Sequence, residues 1–149
     1  MEKKGRKIYR MGFGQSPFPV PEVVVDSLKQ NAHRKEYLPV QGLSELRTAV
    51  AKFHQRVDDL NFKSENIMIG PGSKDLMFLL QSVLDWDIIL PTPCWVSYAP
   101  QAEIAGNPIR FIHTQFEDGW RLTANLLIEY FNNNKTSSNR LIILNYPGN

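Results

Sequence analysis

The stretch Asn66-Ile67-Met68-Ile69-Gly70-Pro71-Gly72-Ser73-Lys74-Asp75 decides the fold. Its first half is a short apolar run that ends in glycine, the pattern of a buried strand. Past Gly72 the period changes. Leu76, Leu80, Val83 and Leu84 recur at helical steps and would form the inner face of a helix over residues 73–84. A strand that passes through a glycine-rich turn into a helix is half of a βαβ unit.

The alternation continues downstream. Asp87-Ile88-Ile89-Leu90 predicts a strand stopped by Pro91 and Pro93, and residues 95–105 predict a helix ended by Gly106. Ile109-Arg110-Phe111-Ile112 predicts the next strand. Residues 123–132 predict a helix with Leu126, Leu127, Tyr130 and Phe131 inward. After a polar loop, Arg140-Leu141-Ile142-Ile143-Leu144-Asn145 predicts a last buried strand. Strand, helix, strand, helix, strand, helix, strand predicts an α/β layer structure with a largely parallel sheet and right-handed crossovers.

Upstream, Leu43, Leu46, Val50, Phe53 and Val57 place a helix over residues 43–57. Another helix begins near Pro21 and runs through Val24, Leu28 and Ala32, with a loop around Pro39 behind it. Gly5, Gly12, Gly14, Pro17, Pro19 and Pro21 make residues 1–21 an extended arm.

The 149 residues are 42% hydrophobic and 21% charged, which suits one soluble globular domain and excludes collagen-like or disordered chains. The net charge is +2, and five of the basic residues (Lys3, Lys4, Arg6, Lys7, Arg10) crowd the first ten positions. The basic character thus belongs to a solvated terminus, and neither nucleic acid nor a membrane surface is the expected partner. Cys94 is the only cysteine, so no internal disulfide forms. No secretory signal and no apolar run of bilayer length is visible, and a cytoplasmic protein is expected. His33, His54 and His113 show no metal-ligand spacing, so no metal site is expected.

In parallel α/β sheets ligands sit at the carboxyl ends of strands, so three turns are candidates. At Gly70–Asp75 the backbone N–H groups of a first helical turn and the Ser73 hydroxyl suit an anion such as phosphate; the alternative is an ordinary helix cap by Ser73. The segment is neither GxxxxGK[ST] nor GxGxxG, and Gly12-Phe13-Gly14 follows no strand, which argues against a nucleotide-binding fold. At Pro91-Thr92-Pro93-Cys94-Trp95, Trp95 either stacks on a flat ligand ring or fills the core. Cys94 has no evident histidine partner and reads as a small buried thiol. At Asn145-Tyr146-Pro147-Gly148-Asn149 an asparagine either donates to a ligand oxygen or belongs to a plain turn.

Together these turns resemble the class I/II aminotransferases, pyridoxal-phosphate-dependent enzymes of fold type I. The resemblance runs from the arm Gly14-Gln15-Ser16-Pro17-Phe18-Pro19-Val20-Pro21, through Glu36-Tyr37-Leu38-Pro39-Val40-Gln41-Gly42-Leu43-Ser44-Glu45-Leu46-Arg47, to the three turns above. It implies a three-layer α/β fold with a mostly parallel sheet, present in part: an arm over 1–21 and, over 22–149, the first part of the cofactor-binding large domain. It implies pyridoxal 5'-phosphate, held at its phosphate by Gly72, Ser73 and Lys74, stacked by Trp95 and hydrogen-bonded at its phenolic oxygen by Asn149. Tyr37 would reach the phosphate of a partner subunit in a homodimer, and the arm at Gly14 would close over the substrate carboxylate. The substrates implied are an amino acid and a 2-oxo acid.

The family pattern continues past the asparagine with Pro-Thr-Gly. Its acid for the pyridinium nitrogen, its Schiff-base lysine and its substrate-carboxylate arginine have no match here. Lys74 sits at the phosphate turn and does not replace that lysine. The expectation is an N-terminal portion of an aminotransferase with no catalytic residue of its own, inactive alone. The alternative is a non-catalytic module or partner subunit that binds phosphate or the cofactor.

Overall fold

The computed structural model describes residues 9, 12, 14–135 and 139–148. The chain divides after Leu38 into two compact units. The first holds α1 (Glu22–Asn31), which starts directly after Pro21, a residue whose fixed φ of −55° suits a helix entry. None of its residues is buried, and Val23, Val24 and Leu28 face solvent.

The second unit begins with α2 (Ser44–Asp58), which ends on Asp59 in the left-handed conformation with its N–H on His54 O. The turn before it packs tightly. Gly42 has φ +95°, and a Cβ there would lie 2.5 Å from Ile69 Cβ. Arg47 Nη1 ties this turn down by donating to Gln41 Oε1 at 2.8 Å and to Ser64 O at 3.3 Å.

The rest is α/β: α3 (Ser73–Val83), β1 (Asp87–Thr92), α4 (Tyr98–Ile104), β2 (Ile109–His113), α5 (Ala124–Asn133) and β3 (Arg140–Ile142). The three strands form one parallel sheet in the order β2-β1-β3. Ile88 aligns with Ile109 on one side and Leu141 on the other. The central strand has no solvent face, which is why it reads as continuously apolar: Ile88, Ile89 and Leu90 are fully buried. Each such side chain contributes about 1.5–3 kcal/mol by leaving water. Ile88 and Leu90 join Tyr98 and Ala102 of α4 in the core, with Met77, Trp95 and Ile143 around them. Buried Asn107, in the turn before β2, ties that turn to α3 and to the residue before β1, donating to Gln81 O at 2.7 Å and accepting from the Trp86 N–H at 3.3 Å. Among the described residues no helix is long and apolar enough to cross a membrane.

Several expectations need correcting. The run at Ile67–Gly70 is extended but pairs with no described strand, and the turn at Ser64–Asn66 is a short 3-10 helix. Its backbone makes one bond to a neighbour, Ile69 N–H to Gln41 O at 3.0 Å. Ile67 and Ile69 are half-buried while Met68 is exposed, so the apolar pattern records a packed face without a ladder. The last strand stops at Ile142, though Ile143 N–H still donates to Ile89 O at 3.1 Å. α4 begins three residues later than expected because Trp95–Tyr98 forms a turn, Tyr98 N–H to Trp95 O. The inner side of α3 carries Met77 and buried Gln81, whereas Leu80 and Val83 are exposed.

Candidate functional site

The carboxyl end of β1 is fixed from β2. Thr92 O accepts from Thr114 N–H at 3.0 Å and from Thr114 Oγ1 at 2.7 Å, and Thr92 Oγ1 lies 2.9 Å from His113 Nδ1. The chain leaves through a cis Thr92–Pro93 bond and delivers Trp95 to the start of α4. Tyr98 takes the buried position, with its ring edge-on to Trp95 at 5.4 Å. Trp95 itself remains half-buried. One ring face carries a cation, Lys74 Nζ at 5.1 Å from the centroid. The glycine-rich turn and the proline-rich turn therefore meet.

The glycine-rich turn is built for close approach. Gly72 is the N-cap of α3, with φ +121° and ψ 154°, a backbone that side-chain-bearing residues avoid. Among the described residues, nothing beyond its chain neighbours lies within 4 Å of where its Cβ would stand. No side chain caps the helix. Capping by Ser73 is thus corrected: Ser73 occupies the first helical position, and its exposed hydroxyl is not spent on the helix start. Uncapped N–H groups, the Ser73 hydroxyl and the Lys74 ammonium are the donor set an anion requires. Asp75, also in the first turn, opposes them with one exposed carboxylate. An open glycine cradle beside a cation and an accessible indole fits a phosphorylated flat ring.

β3 leads into the third turn. Tyr146 Oη accepts from Leu122 N–H at 2.9 Å, and the Tyr146–Pro147 bond is cis. A cavity of about 300 Å³ lies between this turn and the β1 exit, with Pro93, Cys94, Trp120, Asn145 and Tyr146 in its walls. Ser73, Lys74 and Trp95 are not among its walls; Trp95 directly follows the lining residue Cys94, and Lys74 lies against the Trp95 ring. Burial pushes the Cys94 thiol above its ordinary pKa, so it stays protonated, in keeping with an inert thiol.

Ser73, Lys74 and Trp95 thus form one group, with Asn145 and Gly148 across the neighbouring cavity. Asn149 lies outside the described residues. Gly14 and Tyr37 belong to the first unit, and both are exposed. Two participants were not read from the sequence. Gln101 is a buried amide on the apolar face of α4, where a polar residue in step with Tyr98 was the available signal. Trp120 lines the cavity from a left-handed backbone of φ +58° after Gly119, and no local pattern announces that.

A sequence profile for aminotransferase class I and II matches residues 6–149. The chain belongs to this family. An aspartate aminotransferase of Bacillus sp. (strain YM-2) is 29% identical over 154 residues, taking in 100% of this chain and 38% of that protein. The crystal structure of the aspartate aminotransferase from Rhizobium meliloti superposes with a TM-score of 0.84 at 28% identity, over 100% of this chain and 38% of that one. The Thermus thermophilus aspartate aminotransferase solved with maleate gives 0.84 at 25% identity, over 99% and 39%. This aminotransferase chain therefore spans little more than a third of the length of these relatives and corresponds to their N-terminal part. Its small parallel sheet is part of the fold type I large domain of the class I and II aminotransferases, whose family cofactor is pyridoxal 5'-phosphate.

Proposed function

We propose that this chain builds the phosphate- and ring-binding part of a pyridoxal 5'-phosphate site, in a protein that transfers an amino group between an amino acid and a 2-oxo acid. The observation that carries the reading is the meeting of Lys74 with the Trp95 ring beside the uncapped, open start of α3. When bound, the cofactor supplies the carbonyl that exchanges with the amine and the electron sink that the reaction needs.

The chain's own residues bind and orient. The bare backbone at Gly72 lets the phosphate reach the first N–H groups of α3, and Ser73 adds a hydroxyl donor. Lys74 would offset the charge of the phosphate, and Trp95 would stack on the ring and keep water off that face of the cofactor. Asn149 donates to the phenolic oxygen. Tyr37 reaches the phosphate of a second copy in a homodimer, and the arm at Gly14 covers the substrate carboxylate. No residue of this stretch moves the substrate proton; that task falls to a lysine carried elsewhere in the complete protein. The relatives' names favour aspartate as the amino acid, and the protein works in the cytoplasm.

Calorimetric titration with pyridoxal 5'-phosphate and with inorganic phosphate tests this. Both bind saturably. Ser73→Ala weakens both by about tenfold, the worth of a hydrogen bond to a charged group. Trp95→Ala weakens the cofactor far more than inorganic phosphate. Absence of saturable binding to the wild-type chain, or wild-type affinity in both variants, overturns the proposal.

A further inference from the structure

Gln101 is only 8% exposed and shares a face of α4 with Tyr98 and Ala102, which anchor that helix in the core. Its Nε2 donates to Lys74 O at 2.9 Å, in the first turn of α3. Its Oε1 is buried without a partner among the described residues. A position that had only to fill space would do better with an apolar side chain of the same length, because a buried amide oxygen without a donor is destabilising. The donor half of the amide is therefore what this position retains.

What that donor holds is the turn proposed to bind phosphate. Lys74 is gripped at both ends: its carbonyl by Gln101 and its ammonium by the face of Trp95, 5.1 Å away. Trp95 in turn contacts Tyr98, three residues before Gln101 on the same helix. The circuit Gln101–Lys74–Trp95–Tyr98 closes on itself and links the start of α3 to the start of α4. A ligand that carries an anionic group and a flat ring on one frame needs these two elements at a fixed separation.

We propose that Gln101 is a positioning residue that holds the anion-binding turn of α3 in register with the Trp95 platform. The proposal rests on the phosphate reading of the Gly72–Lys74 turn given above. It acts through the Lys74 backbone and touches no ligand.

Gln101→Met keeps the length and volume and lacks the donor. Gln101→Glu keeps the shape, cannot donate once ionised, and brings negative charge toward the turn. Affinities are measured for pyridoxine 5'-phosphate and for pyridoxine, which share a ring and lack the aldehyde, so no lysine adduct intervenes. In Gln101→Met the phosphorylated probe weakens about five- to tenfold, the worth of one hydrogen bond, while pyridoxine changes by less than about twofold. The thermal midpoint holds or rises, since an orphaned buried oxygen is removed. Gln101→Glu, with folding checked by circular dichroism, weakens the phosphorylated probe further still. Equal weakening of both probes, or a lowered midpoint with phosphate affinity intact, reduces Gln101 to a packing residue and overturns the proposal. If the wild-type chain itself fails to bind the phosphorylated probe, the phosphate reading is what has failed, and this inference falls with it.

Discussion

Gly72→Ala is expected to destabilise the chain through its backbone alone. With φ +121° and ψ 154° the residue lies where essentially only glycine goes, and holding an alanine there costs about 1–3 kcal/mol. Tertiary sterics add nothing, because among the described residues no atom beyond the chain neighbours lies within 4 Å of the added methyl. Gly70→Ala makes the opposite control. Its Cβ would lie 2.7 Å from Leu76 Cδ2 and 2.9 Å from Leu76 Cγ, so its cost is a collision with a neighbour. A double-mutant cycle with Leu76→Ala separates the two. Truncating Leu76 relieves Gly70→Ala, giving a coupling of about 1 kcal/mol or more, whereas Gly72→Ala adds to Leu76→Ala within about 0.5 kcal/mol. The assay is urea unfolding, with the midpoint lowered and the slope unchanged. By heat, a loss of about 1–3 kcal/mol lowers the midpoint by roughly 2–12 °C for a chain of this length. If Gly72→Ala lies within about 0.5 kcal/mol of wild type, or couples to Leu76→Ala as strongly as Gly70→Ala does, the strain assigned to this turn is absent.

Leu90→Ala, at a fully buried position in the central strand, should cost about 2–5 kcal/mol in the same assay; a loss below about 1 would mean that the site collapses or is not core. Asn107→Ala removes the donor to Gln81 O and the acceptor for Trp86 N–H and should cost about 2–3 kcal/mol, against near-neutrality if water replaces both bonds. Burial raises the Cys94 pKa from 9.0, so the folded chain holds that proton more tightly than the unfolded chain. This contribution to stability is constant below pH 9.0 and declines as pH rises above it, and native Cys94 should alkylate more slowly at neutral pH than in urea. Faster alkylation of the native thiol would contradict that environment.

The parts of the fold that declared themselves in the sequence are those whose signal is local. Ile88, Ile89 and Leu90 form an uninterrupted apolar run because β1 has neighbours on both edges and both faces, and Pro91 and Pro93 mark its exit. Proline at 21 and glycine at 106 set helix ends through their own backbone preferences. The segment at Ile67–Gly70 misled because alternating burial reports a packed face, whereas a strand also needs a neighbour, and pairing is a non-local property. The inner face of α3 shifted for a related reason: Gln81 is buried because its backbone carbonyl and Asn107 meet there, which periodicity of apolar residues cannot register. Of the site, residue types that suit a phosphate and a ring were readable turn by turn. Their convergence was legible only through the resemblance of the turns taken together, and Gln101 was not legible at all, because its hydrogen-bond acceptor is the carbonyl of a residue 27 positions away.

Why the binding end of such a site can be assembled within one short stretch follows from the topology. Parallel strands place their carboxyl ends on one edge, so the exits of β1 and β3 open side by side and share the cavity walled by Cys94 and Asn145. The start of α3 meets the β1 exit at Trp95, because α3 packs against α4, the helix that this exit feeds. Holding a dianion there calls on backbone dipoles, one hydroxyl and one ammonium, all from positions 72–74, and none of them needs an unusual protonation state. Moving a proton at a substrate carbon is a different demand. It requires a base whose pKa is drawn toward neutrality by burial or by a neighbouring charge. In the group of Ser73, Lys74 and Trp95 the only basic side chain is Lys74, exposed in the first turn of α3 and lying on an indole face. Lys74 is thus placed to meet a phosphate beside the indole, and a Lys74→Met substitution should weaken phosphate binding without abolishing the ring's interaction with Trp95.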